Sequence, residues 1–361
     1  MGASLFLAAL LTTSVASADS IDDVIRAEMK RQGVPGLSLG VVKDGRVFRA
    51  EGYGFANVEL QVPATRKTVY QSGSVGKQFA AMAAMLLKEE GKLKLDDPVS
   101  KYLPGTPDAW KPITIRHLLT HTSGIPEYTR LIDLTKNYSE EELLKKAFSL
   151  PLDFQPGEKW SYSNTGYAVL GFLMSKAAGK FYGDYMQEKI FKPLGMETAR
   201  IINEADIIPN RAAGYQYSFM KLKNQSWVAP QLNTTADGSL YISIDDMIKW
   251  DAALAAGKLV SKESYDLMWT PVKTPDGKEN KYGFGWMIEK SKGKRRLHHG
   301  GSWQGFTTYI DRRPEDKFTV IVLTNCAPTP MPILPGSAPW VVAQKITSIL
   351  LPEANAKIKT N

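Results

Sequence analysis

A single cysteine, Cys326, occurs in the 361 residues, which excludes an intrachain disulfide and any cysteine-rich zinc site. Only four histidines are present. His117 and His121 share helical spacing, but no glutamate follows the first as in H-E-x-x-H, so both are read as structural. No nucleophile elbow of the G-x-S-x-G kind is read. The net charge is +8, yet no five consecutive Lys or Arg occur, and the densest cluster is Lys292–Arg296, KGKRR. A polyanion-binding surface would rest on net charge alone, so nucleic acid is not expected as a partner. No stretch is long and apolar enough to form a transmembrane anchor. No metal or other cofactor is implied.

Among the features present, Leu5–Leu11 is apolar and Ala16-Ser17-Ala18 forms an A-x-A pattern. Residues 1–18 are expected to be a secretory leader, and the chain periplasmic or secreted. The alternative is a buried first helix. Cys326 ends the apolar run FTVIVLTNC and reads as a buried strand-end thiol.

Hydrophobic spacing predicts a first helix from Ser20 to Gly33, then strands Leu37–Lys43 and Arg46–Ala50 joined by Asp44-Gly45, a strong hairpin signal. Residues 68–200 are mainly helical in pattern, and 200–240 are polar without clear periodicity. Asp245–Ala256 predicts a helix. Strand character returns at Gly283–Glu289, Arg296–His299, Thr307–Asp311 and Phe318–Thr324, before a closing helix at Val341–Leu350. The economical fold is α+β, with one antiparallel sheet built from both chain ends, flanked by helices and interrupted by a large, mainly helical insertion. The expected division is 19–67 with 240–361 as the sheet domain and 68–239 as the helical one.

Ser74-Val75-Gly76-Lys77 is an S-x-x-K that opens a run apolar almost all round, as in a buried central helix. At i and i+3 the two side chains share a face, so the lysine can reach the serine oxygen. Burial would favour the neutral amine able to take the hydroxyl proton, and the helix N-terminus offers N–H groups to an oxyanion. Taken alone, the four residues also read as a helix cap and a solvated lysine. Ser218…Lys221 and Ser291…Lys294 match the same pattern without that setting. Tyr162-Ser163-Asn164 is the one Y-x-N, behind a Pro156-Gly157 turn. Its phenol can share a proton with Lys77, and its amide can hold a substrate carbonyl. In His298-His299-Gly300-Gly301-Ser302 the glycines allow close backbone approach, and the Ser302 N–H can complete an oxyanion hole with that of Ser74.

S-x-x-K, Y-x-N and H-x-G in this order resemble the penicillin-recognising serine hydrolases, in the class C β-lactamase-like branch that includes D-alanyl-D-alanine carboxypeptidases, D-aminopeptidases and esterases. Ile115–Gly124 and Gly238–Ser243 are similar to further segments of that branch. The resemblance implies Ser74 as nucleophile, Lys77 and Tyr162 as the acid/base pair, and Asn164, His299, Gly301 and Ser302 as substrate contacts. His299 stands where β-lactamases usually carry a lysine that attracts the substrate carboxylate. Its imidazole is expected to gain charge as the pH falls toward 6, given an unperturbed pKa of about 6.5. The implied reaction is hydrolysis of an amide or ester through an acyl-enzyme on Ser74, of esterase or D-amino-acid peptidase type. The alternatives are a class C-like β-lactamase and a slowly deacylating penicillin-binding protein. The partner would be an ester, a D-amino-acid amide or a β-lactam.

Overall fold

The computed structural model describes residues 20–201, 205–327 and 337–352, so the leader read at 1–18 lies outside the described residues. Helix α1 (residues 20–32) precedes β1 (Gly36–Lys43) and β2 (Arg46–Asn57). Asp44 and Gly45, both with positive φ, make the two-residue turn between these strands. Strands β3 (Val62–Pro63) and β4 (Tyr70–Gln71) lead to α2 (Lys77–Glu89), α3 (Ile115–Leu119), α4 (Glu140–Phe148), α5 (Asn164–Ala178) and α6 (Tyr182–Met186). Then come β5 (Arg200–Ile201), the hairpin β6 (Tyr215–Ser218) and β7 (Lys221–Asn224), and β8 (Leu240–Ile242). The chain closes with α7 (Ile244–Ala256), α8 (Lys262–Met268), β9 (Met287–Ser291), β10 (Lys294–Trp303), β11 (Phe306–Arg313), β12 (Phe318–Thr324) and α9 (Ala338–Leu350).

The main sheet has seven strands in the order β3-β2-β1-β12-β11-β10-β9, so strands from both chain ends meet where β1 pairs antiparallel with β12. Alternation along β12 explains its two-sided burial. Val320 and Val322 face a cluster with Ile21 and Ile25 of α1 and Val342 and Ile346 of α9, while Ile321 and Leu323 face the larger core. That larger core surrounds α2, whose residues from Lys77 to Met85 are all buried. Its alanines keep the helix slim enough to be enclosed. Phe79 stacks on Trp250 of α7 at 4.2 Å, and the Trp250 indole donates to Gln78 Oε1 at 2.7 Å.

Three sequence expectations change. β9 starts at Met287 rather than Gly283, because Gly285 at φ +75° turns the chain against the start of α2. β10 runs on through both glycines to Trp303, because pairing with β11 overrides their low strand propensity. Gly36-Leu-Ser-Leu-Gly40 does match G-x-S-x-G, but it lies inside β1. There Ser38 is wholly buried, with Oγ on Thr65 O and Tyr70 OH at 2.8 Å each, and is no elbow. Among the described residues, no helix is long and apolar enough to cross a membrane.

Candidate active site

Ser74 lies in a 3-10 turn, Gly73–Gly76, and α2 begins at Lys77, so the S-x-x-K straddles the two helical segments. Lys77 is wholly buried and reaches back, with Nζ 3.1 Å from Ser74 Oγ. The same nitrogen donates to Asn164 Oδ1 at 2.8 Å and to the carbonyl oxygen of Asp237. It lies 5.0 Å from the ring centre of Tyr162 and 5.4 Å from that of Tyr167. These neighbours fix a long, flexible side chain in one position. Tyr162 is thus brought against Lys77, although its buried hydroxyl bonds to none of the described residues.

The Y-x-N segment is held by the loop after α3. Ser163 N–H donates to His121 Nδ1 at 3.1 Å, Ser161 N–H to His121 O at 2.9 Å, and Asn164 N–H to Glu127 Oε1 at 2.6 Å. Ser163 Oγ accepts from Gly166 N–H at 3.1 Å and so starts α5 with Asn164 as its first residue. The His121 ring lies 4.3 Å from that of Tyr162, and its backbone is left-handed at φ +59°. His117 Nδ1 accepts from Thr114 N–H at the start of α3. Both histidines support neighbouring chain, and among the described residues no group of three metal-ligating side chains is found.

β10 brings the third motif. Its alternation turns His298 toward Tyr309 OH at 3.0 Å on the α9 side of the sheet, and His299 toward the Lys77 side. The strand presses onto the serine turn. A Cβ on Gly73 (φ +52°) would stand 2.5 Å from Ser302 N, and one on Gly301 would stand 3.0 Å from Ser74 N. Glycine at both positions lets the amides of Ser74 and Ser302 lie side by side, as two donors to one oxyanion require.

His299 departs from expectation. It is 4% exposed, donates Nδ1–H to Gly300 O at 2.7 Å and accepts a hydrogen bond from the Tyr282 hydroxyl on Nε2 at 3.0 Å. Burial pushes its pKa down to about 3, so the expected gain of charge near pH 6 does not occur. Nor does it line the cavity over Ser74. That cavity, open at its mouth, is bounded by Ser74, Asn164, Asp237, Ser302 and Trp303, with Ile132, Leu134 and Leu232 as its apolar wall. Among the described residues, no Lys, Arg or His lines it, and Asp237 is the one charged residue in its lining. Behind Asn164, burial holds the Glu127 carboxyl above its ordinary pKa, and the nearby Asp237 adds to the effect. Neither acid carries a local sequence signal, because each joins the site only through tertiary packing. Cys326 is buried at the end of β12, and desolvation pushes its thiol up to about 11, far from a reactive thiolate.

A family model described as Beta-lactamase matches residues 21–335. The chain is 32% identical over 309 residues to penicillin-binding protein 4* of Bacillus subtilis, covering 78% of this chain and 68% of that protein. It is 29% identical over 300 residues to the D-aminopeptidase of Gluconobacter oxydans, covering 81% of this chain but 56% of that protein. Among solved structures, the octameric penicillin-binding protein homologue from Pyrococcus abyssi superposes with a TM-score of 0.79 at 34% identity, over 93% of this chain and 77% of that one. The D-amino acid amidase of Ochrobactrum anthropi shares the fold, with a TM-score of 0.77 at 21% identity over 92% of this chain and 99% of that one. The chain belongs to the β-lactamase family, the serine hydrolases that include penicillin-binding proteins and D-aminopeptidases.

Proposed function

We propose that the protein hydrolyses amides of small substrates that carry a free amine beside an apolar side chain, through an acyl-enzyme on Ser74. The carrying observation is the charge of the cavity, in whose lining Asp237 is the one charged side chain among the described residues. An ammonium ~4 Å from a carboxylate gains on the order of 4 kcal/mol at a partly screened protein surface, and a substrate carboxylate meets the opposite sign. His299 is neutral and buried, and no cationic side chain among the described residues lines the cavity to meet a β-lactam carboxylate. The apolar wall suits a side chain such as phenylalanine. Preference for the D-enantiomer is supported by the resemblance to the D-aminopeptidase. The leader read at residues 1–18 would place the reaction outside the cytoplasm.

In this reading Ser74 Oγ attacks the amide carbon while its proton passes to the Lys77–Tyr162 pair. The Ser74 and Ser302 N–H groups receive the oxyanion, and Asn164 orients the substrate amide. The pair returns the proton to the leaving amine. Water entering from the open mouth then releases the acid by the same steps in reverse order.

The test is kcat/KM for D-phenylalanine amide, its N-acetyl derivative, p-nitrophenyl acetate and nitrocefin. The free amine should outperform the N-acetyl compound by about 100-fold, somewhat below the full Coulomb gain. Asp237→Asn should erase most of that ratio and leave the neutral ester nearly unchanged. Equal rates with and without the free amine, or nitrocefin as the best substrate, would overturn the reading.

A further inference from the structure

The β6–β7 hairpin turns through Phe219 and Met220, because Ser218 pairs with Lys221. Both turn residues are left-handed, at φ 47° and 65°, as a type I′ turn requires. Asn-Gly fills such turns readily, whereas a bulky L-residue there is strained. The same two side chains are 97% and 71% exposed, so the strain brings no packing within the fold. The root of the hairpin, by contrast, is firmly built. Tyr215 N–H donates to Asn325 O at 3.0 Å and Tyr217 OH to Gly33 O at 3.0 Å, while Tyr217 and Leu222 pack on Val34 and Cys326. A strained apolar tip on a rigid stalk points to a role outside the chain.

We propose that this tip inserts reversibly into the surface of an anionic lipid bilayer. Two observations select that occupant over a second protein chain. Lys221 and Lys223 follow the tip on the exposed face opposite Leu222 and enter no ion pair among the described residues. Such lysines attract an anionic surface as their stems reach its interface. The tip offers on the order of 300 Å² of apolar surface, against ~800 Å² per partner in a stable protein interface. An aromatic and a methionine entering the acyl boundary, flanked by lysines at headgroup level, is the arrangement that holds a protein on a membrane without spanning it. The stalk joins the loop that carries Gly214, whose neighbour Tyr215 donates to Gly305 O in the turn after Trp303. The root of the hairpin, rather than its tip, therefore adjoins the turn that follows Trp303 of the cavity wall.

The experiment is co-sedimentation of the full chain with vesicles of 3:1 phosphatidylcholine:phosphatidylglycerol and of phosphatidylcholine alone. Binding should favour the anionic vesicles and weaken between 0.1 and 0.5 M salt, about where screening shortens from ~10 Å toward ~4 Å. Phe219→Asn with Met220→Gly installs the preferred turn, so this variant should melt at or above the wild-type temperature while losing at least about tenfold in partition coefficient. Lys221→Gln with Lys223→Gln should lose about tenfold on anionic vesicles alone. Retained binding by the Asn-Gly variant would overturn the proposal. So would sedimentation velocity showing that the wild type self-associates through the tip without binding either vesicle.

Discussion

Adjacent glycines of β10 should respond oppositely to the same added methyl group. At Gly301 a Cβ would stand 2.1 Å from Ser72 O, 2.5 Å from Thr308 Oγ1 and 3.0 Å from Ser74 N. Thr308 Oγ1 donates to Ser72 O at 2.5 Å, so the methyl falls on a hydrogen bond that ties β11 to the serine turn. Carbon needs about 3.3 Å from a carbonyl oxygen, so β10 must retreat by roughly 1 Å, with Ser302 N moving away from Ser74. Losing one oxyanion donor costs ~10²–10³ in kcat, and the overpacking itself about 1–3 kcal/mol of stability. At Gly300 the nearest atom to a Cβ is Tyr309 Cδ2, at an ordinary 3.6 Å. Gly300→Ala should keep activity within a few-fold and gain up to about 1 kcal/mol from a less flexible unfolded chain. Steady-state kinetics on one neutral ester, with urea melts of both variants, make the comparison. Equal rates for the two alanine variants would refute the idea that backbone contact at Gly301 positions Ser302.

Acid should destabilise the protein from pH 6.5 downward. His299, with its pKa pushed to about 3, and His121, held well below its usual value by burial, both stay neutral in the native state. The unfolded chain binds protons that the folded one refuses, so stability falls by about 1.4 kcal/mol per pH unit for each histidine until the native pKa is reached. Urea midpoints at pH 7.5, 6 and 5 should decline accordingly, and His299→Gln should reduce the slope; a flat profile in the wild type would contradict the burial argument. At the far end of β11 from the serine turn, Arg312 Nε donates to Asp251 Oδ1 at 2.9 Å with both side chains nearly buried, and Thr319 Oγ1 adds a bond of 2.8 Å. Asp251→Ala leaves the guanidinium unpaired and should cost about 3–5 kcal/mol, read from chemical unfolding; a loss below 1 kcal/mol would show that the pair is solvated.

Much of the fold was legible where local chemistry and tertiary structure agree. Asp44-Gly45 supplies the left-handed turn its hairpin needs, and the all-round apolar run after Ser74 can only be a central helix. The hairpin β6–β7 carries no local turn signal, because Phe219-Met220 occupies a turn where Asn-Gly is the usual pair. The strand signal of β10 stops at His299 for the reverse reason, because glycines that weaken a strand locally are there to let it touch the serine turn. The site itself divides in the same way. Ser74, Lys77 and Asn164 stand in motifs and are joined by direct hydrogen bonds, whereas Asp237 and Glu127 reach them from loops outside those motifs. His299 carries the opposite lesson: its motif position was plain, but its charge state depends on the burial and on the Tyr282 hydroxyl packed against it.

The central claim is that Ser74 becomes acylated. Intact-protein mass spectrometry after rapid acid quench of the enzyme with D-phenylalanine p-nitroanilide tests it directly, with peptide mapping to locate the adduct. The account predicts a phenylalanyl adduct on the peptide containing Ser74, absent in a folded Ser74→Ala variant that also releases no p-nitroaniline. An adduct on Ser239 or Ser302, the other serines bounding the cavity, or turnover that survives Ser74→Ala, would contradict it.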